Sequence, residues 1–208
     1  IGASRTDSGV HSYGNVAVFD TNARMPAEKI SYALNQRLPD DIVVQNSSEI
    51  PLDWHPRHCN SRKTYEYRIL NREFPMPQRR LDTWFVYRKL NIPAMCEAAE
   101  QFEGTHDFKS FCAAKTQAQT TVRTVTGIEV ETHSLSEGEY PSQKVIIRVT
   151  GEGFLYNMVR IISGTLIKVG LGVYPPEHVK EILEACDRSK AGETVPAKGL
   201  FLKKIKYL

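Results

Sequence analysis

The amino-acid sequence predicts an α+β fold, a mixed and largely antiparallel sheet flanked by helices. Residues 121–132 and 144–150 alternate apolar and polar side chains at hairpin spacing, the period-2 signature of half-buried strands. Residues 64–70 alternate in the same way, with Tyr65, Tyr67 and Ile69 on one face and Thr64, Glu66 and Arg68 on the other. The strands and helices do not alternate strictly, which favours this class over a doubly wound parallel sheet.

Taken in order, the chain opens on "SRTDSGVHS", where Asp7-Ser8-Gly9 has the chemistry of a turn: Asp caps its own backbone and Gly accepts positive φ. Residues 15–20 alternate as a strand. "RMPAEKISYALNQRLPDD" predicts a helix opened by Pro26 and closed before Pro39, with a short strand at 42–45. "SSEIPLDWHPRHCNSRK" reads as the connection between two lobes, 1–58 with the Asp7 turn and 59–208. Beyond the strand at 64–70, "REFPMPQRR" is an exposed basic loop. "TWFVYRKL" leads from it to a helix at about 93–102, and "HDFKSFCA" is a short connecting element. "SLSEGEYPS" is the loop of the expected hairpin. "GEGFLYNMVRIISGTLIKVGLG" predicts a helix ended by Gly170 or Gly172, "PPEHVKEILEACDRS" a second, and "GLFLKKIKYL" a terminal strand.

The chain has 208 residues, 41% hydrophobic and 25% charged, the composition of a soluble globular protein with material for a sizeable core. No apolar run approaches the roughly 18 residues of a membrane helix, and no basic-then-apolar leader precedes the first strand. A cytoplasmic protein without a membrane partner is expected. The four cysteines, Cys59, Cys96, Cys112 and Cys186, make no Cys-x-x-Cys pair, so reduced and mostly buried thiols are expected. His55, His58 and Cys59 lie close in sequence, but Pro56 blocks a helical face and no other ligand cluster has metal spacing; no metal is expected. The sequence contains no phosphate loop, no Gly-x-Ser-x-Gly elbow and no complete dinucleotide fingerprint, so no nucleotide cofactor is expected. Ile1 stands almost directly before the Asp7 turn, and a strand region preceding it is expected.

Arg160 interrupts an otherwise apolar helix. Tyr156, Asn157, Ser163 and Gly164 lie three and four places away, a stripe of polar and small residues that another backbone or side chain could approach. A guanidinium there either seeks a carboxylate or phosphate, because an unpaired buried charge is costly, or lies on the surface. Periodicity alone favours an ordinary core position for Tyr65, sharing a face with Tyr67 and Ile69, over a ring that stacks on a base. His11 and His106 read as hydrogen-bonding turn residues. The net charge is only +3, yet basic residues recur at Arg5, Arg57, Arg62, Lys63, Arg68, Arg79, Arg80, Lys203, Lys204 and Lys206. Interleaved with Trp54, Tyr65, Tyr67 and Trp84, they fit either solvated loops or a nucleic-acid footprint.

"SRTDSGVHS", "NSRKTYEYRI", "EGTHDFKSFC", "TVRTV", "GFLYNMVRIISGTLIKVG" and "AKGLFL" follow the order and approximate spacing of the tRNA pseudouridine synthase A family, which this chain resembles over essentially its whole length. The resemblance implies the pseudouridine synthase fold, with an RNA-binding cleft between two lobes and a truncated N-terminal lobe. It implies that Asp7 is the catalytic aspartate, Arg160 the arginine that ion-pairs with it, and Tyr65 the active-site tyrosine that stacks on the base. Arg5 resembles the arginine that moves the target base out of its stack, Leu200 the apolar wall across the base, and His11 a further substrate-side residue. The implied reaction turns uridines at tRNA positions 38–40, in the anticodon stem-loop, into pseudouridine. The partners implied are tRNA and a second copy of the chain, with no cofactor. A relative acting on other RNA uridines and a non-catalytic RNA-binding fragment are the alternatives.

Overall fold

The computed structural model of the chain describes residues 1–113, 118–135 and 142–208. These fall into two compact units, one formed by Ile1–Ala3 with Val16–Cys59 and the other by Ser4–Asn15 with Asn60–Leu208. The Asp7 turn therefore groups with the larger unit.

The smaller unit contains helix α1, Ile30–Asn35, entered through a 3-10 turn at Ala27–Lys29 behind Pro26. The strand expected at 15–20 is reduced to one antiparallel bridge, Gly2 with Ala17, flanked by Ala3 N–H donating to Val16 O and Val18 N–H to Ile1 O. Alternation alone makes no strand: a ladder needs a partner longer than the three residues paired here. The strand expected at 42–45 is also absent. The Asn35 amide donates to Val44 O at 2.9 Å and accepts from Val44 N–H at 2.8 Å, so a side chain occupies the place of a neighbouring strand.

The larger unit is built on a seven-stranded mixed sheet. Its strands are β1 (His11–Ser12), β2 (Ser61–Asn71), β3 (Trp84–Val86), β4 (Gly104–Asp107), β5 (Val122–Ser134), β6 (Gln143–Gly151) and β7 (Leu200–Tyr207). The order is β1-β7-β2-β6-β5-β4, with β3 on β2. β1–β7 and β2–β3 are parallel and the other pairs antiparallel, so the sheet is largely antiparallel, as expected. The β5–β6 hairpin forms; its loop lies mostly outside the described residues. β1, β3 and β4 are too short for a periodicity to reveal.

Tyr65, Tyr67 and Ile69 of β2 lie on the core face beside Val145, Ile147 and Val149 of β6 and Leu200 and Leu202 of β7. Helix α2 (Ile92–Glu100), capped by Asn91, and helix α3 (Met158–Gly170) contribute Met95, Ala98, Met158, Ile161, Ile162 and Leu166 to this core. Helix α4 (His178–Ala185) adds Val179 and Ile182. α3 starts later than the apolar pattern suggests: Gly151 ends β6, and Asn157, at φ 62°, turns the chain left-handed just before the first helical residue. The thiols differ from expectation as well. All four are free, but only Cys112 is buried.

Among the described residues, no helix is long and apolar enough to cross a membrane, and no group of three or more His, Cys, Asp or Glu could hold a metal ion.

Candidate active site

Asp7 is the first residue of a tight turn closed by Val10 N–H donating to Asp7 O at 3.0 Å. Gly9 takes φ 81°, the left-handed position that Asp-x-Gly turns reserve for glycine. The turn is held at both ends. Asn15 bonds the main chain of Ser4 in both directions, at 3.3 and 3.1 Å, and β1 pairs with β7 through His11 with Phe201 and Ser12 with Leu202.

Arg160, in the first turn of α3, reaches the Asp7 carboxylate at 3.1 Å from Nη1 to Oδ2. The same nitrogen donates to Asn157 Oδ1 at 2.8 Å, and Nε donates to the Val195 carbonyl at 2.7 Å. A planar guanidinium suits this task, because it presents several donors in fixed directions. The side chains of Arg160 and Asp7 are 16% and 32% exposed, so the pair is sheltered yet open to a ligand. The stripe of small residues explains how the chain approaches so closely. Gly164 lies against the main chain of residues 193–195: a Cβ there would stand 2.1 Å from Glu193 O. Gly192 N–H donates to Thr165 Oγ1 at 2.8 Å. Ser163 and Thr165 satisfy themselves by bonding carbonyls one turn back in α3.

Tyr65 is 7% exposed. Its ring meets Phe154 edge-to-face at 5.2 Å, and its hydroxyl shares a hydrogen bond with Ser4 Oγ at 3.0 Å. Burial pushes this phenol above its ordinary value; the bond to Ser4 opposes the shift, and the Asp7 charge adds to it. The hydroxyl is therefore protonated at neutral pH. A β-bulge displaces the β2–β7 register between Thr64 and Tyr65, the kind of irregularity that re-aims a side chain.

The other expected residues lie around this centre with different partners. Leu200 is buried at the start of β7, opposite Tyr67 rather than Tyr65. Arg5 is exposed, with no hydrogen bond or ion pair among the described residues. His11 is engaged elsewhere: Nε2 is 2.8 Å from Leu81 O and the ring stacks on Phe201 at 4.4 Å. Among the described residues it bonds none of Asp7, Tyr65 and Arg160.

The wider basic and aromatic footprint contracts. Tyr67 is fully buried and donates to Pro196 O at 2.8 Å, so it offers no face to a base. Arg68 bonds Glu66 at 3.1 Å and covers the Phe201 ring at 3.7 Å. Sequence reasoning missed Ser4 and Phe154, the two contacts that orient Tyr65, and the Val195 carbonyl. Ser4 lies inside the quoted motif, so its place beside Asp7 was a usable signal; a backbone carbonyl leaves none.

Residues 1–58 and 98–208 match the model of a family described as tRNA pseudouridine synthase. Among similar proteins are tRNA pseudouridine synthase A of Acetivibrio thermocellus, 44% identical over 207 residues that cover 100% of this chain and 82% of that protein, and tRNA pseudouridine synthase A 2 of Clostridium perfringens, 47% identical with the same coverage. The tRNA pseudouridine synthase A of Bacillus subtilis is 44% identical, covering 100% of this chain and 81% of its own length.

Proposed function

As the chain belongs to the tRNA pseudouridine synthase family, we propose that it isomerises uridines of the tRNA anticodon stem-loop to pseudouridine with Asp7 as its catalytic carboxylate. The observation that carries the reading is the Arg160–Asp7 pair at 3.1 Å, formed between a turn and a helix 153 residues apart and set beside a buried tyrosine.

Uridine and pseudouridine contain the same atoms. The reaction breaks the N1–C1′ bond, turns the base, joins C5 to C1′ and moves the C5 hydrogen to N1 or solvent. An ionised carboxylate can begin it by attacking C1′ or by removing a C2′ proton to give a glycal. Arg160 fixes Oδ2 and balances its charge. Among the described residues no hydrogen bond reaches Oδ1, which is left for the sugar. Tyr65 packs against the uracil, and its protonated hydroxyl, joined to Ser4, gives the departing C5 proton a path. Leu200 closes the apolar side of the base, and the unpaired Arg5 enters the space a flipped nucleotide vacates. Extruding a stem base costs a few kcal/mol, which ring packing and phosphate contacts offset. In this reading the working form is a cytoplasmic homodimer, and His11, stacked on Phe201, is a further substrate-side residue.

The test is release of the C5 hydrogen from an unmodified tRNA transcript labelled at uridine. Release is expected from the wild-type chain, while Asp7→Asn is expected to bind tRNA and release nothing. Turnover by Asp7→Asn would remove Asp7 from its role, and product mapped outside the anticodon stem-loop would overturn the choice of substrate position.

A further inference from the structure

We propose that the cavity lined by Arg79, Arg80 and Lys198 is a subsite for a backbone phosphate of the tRNA, next to the nucleotide at Asp7; this rests on the tRNA reading above. The cavity exists because two strands share one edge of β2 without meeting. β7 begins at Leu200, opposite Tyr67, and β3 begins at Trp84, opposite Ile69. The notch between them opens into a space of about 210 Å³, with Leu70, Met76 and Phe85 among its apolar lining and the three cations beside them.

The charges in this notch are not balanced from within. Elsewhere in the larger unit three partly buried arginines hold carboxylates, Arg68 on Glu66, Arg148 on Glu66, Glu129 and Glu131, and Arg160 on Asp7, while Arg123 and Arg188 bond carbonyl and hydroxyl oxygens instead. Arg79 has Asp82 at 2.9 Å. Among the described residues neither Arg80 nor the half-buried Lys198 has an ion pair, and no acidic side chain lines the cavity. Arg80 is exposed and donates from Nη1 to Pro77 O at 3.3 Å, Lys198 is half-buried, and both line the one cavity; like charges on one cavity wall favour an anion, and phosphate oxygens accept charge-assisted hydrogen bonds from both groups.

The location joins this notch to the reaction centre. Lys198 is three residues from Val195, whose carbonyl holds Arg160, a span of about 11 Å at most. It also directly follows Ala197, whose Cβ lies 3.6 Å from where a Cβ on Gly9 of the Asp7 turn would stand. A phosphate in the notch therefore belongs to a nucleotide close to the reacting uridine. Such a contact positions RNA without reading its sequence, which suits an enzyme acting on several neighbouring uridines.

The test compares wild type with Arg80→Gln/Lys198→Gln, leaving Arg79 in place to hold Asp82. Binding of an unmodified tRNA transcript is measured across a salt series, with turnover at saturating tRNA measured separately. We expect Kd to rise roughly ten-fold and the slope of log K against log salt to shrink by about 0.7 to 0.9 for each contact removed, with kcat unchanged. The exposed pair Lys180→Gln/Lys190→Gln serves as the charge control and should keep the wild-type slope. An unchanged slope in the cavity variant overturns the subsite, as does an equal loss in the control. A fall in kcat at unchanged Kd overturns it too, since it would assign Lys198 to holding residues 195–199 in place. Binding is read without turnover, so the expected slope change in a chain that releases no C5 hydrogen supports the subsite and refutes the proposed reaction.

Discussion

Replacing Arg160 with Met removes a group that ties the Asp7 turn to helix α3. Three hydrogen bonds go with it, at 3.1 Å to Asp7, 2.8 Å to Asn157 and 2.7 Å to the Val195 carbonyl. A bond to a charged group contributes about 1.5–3 kcal/mol. Asp7 is 32% exposed, so water replaces part of what its carboxylate loses, and exposed ion pairs contribute little. Val195 is fully buried, so its carbonyl recovers less. The sum is about 2–4 kcal/mol, or roughly 4–16 °C in Tm for a chain of this size. Activity should fall further than stability predicts. Once Oδ2 is released, a displacement of about 1 Å at the reacting carboxylate lowers kcat/KM some 10²-fold or more, about 2.7 kcal/mol of transition-state stabilisation. Arg160→Lys should recover part of the Tm and little of the activity, because one ammonium cannot serve a carbonyl and a carboxylate with the geometry of a planar fork. The assay is single-turnover release of the C5 hydrogen at temperatures where each variant is folded, with exposed Lys204→Met as the control. Arg160→Met within about three-fold of wild type would refute the positioning argument.

Three more expectations follow from particular contacts. Gly164→Ala would place a methyl group 2.1 Å from Glu193 O, so residues 193–195 must move; a loss of about 1–3 kcal/mol in a denaturant melt, with reduced C5-hydrogen release, is expected, and wild-type values for both would contradict the close approach. Ser4→Ala should lower kcat while leaving KM for tRNA unchanged, since it removes only the bond that orients the Tyr65 hydroxyl; a change confined to KM would assign Ser4 to substrate binding instead. Glu66 is buried among Arg68, Arg148 and Lys203. Burial raises its carboxyl, but the hydrogen bond from Arg68 and the three positive charges outweigh this and hold it below its ordinary 4.5. A depressed folded-state value stabilises above 4.5 and is lost as pH falls through that lower value. Glu66→Gln should therefore be less stable than wild type at pH 7 in thermal melts, with the gap narrowing below about pH 4.5; a gap constant with pH would contradict the charge origin of the effect.

The sequence made some of this legible and concealed the rest for identifiable reasons. The long strands announced themselves because each pairs along its length and keeps one face in the core, so the period of two survives in Tyr65, Tyr67 and Ile69. The two expected strands near the N-terminus carried the same kind of pattern without a comparable partner, and neither formed. At the site, Asp7, Arg160 and Tyr65 could be picked out through the resemblance of the motifs that carry them, while their chemistry alone left a structural turn, a surface cation and a core ring open. Their supports could not, since Val195 contributes a carbonyl that every residue possesses and Phe154 looks like any core aromatic. Arg160 shows the division most clearly. A cation among Asn157, Ser163 and Gly164 signals that something must approach the helix, but periodicity carries no information about what arrives across 153 residues of chain in one direction and 35 in the other. That information is in the sheet. β1 on β7 carries the Asp7 turn to the strand that follows residues 195–199, so the two distant partners of the guanidinium come to it together, and neither is held there by its own local sequence.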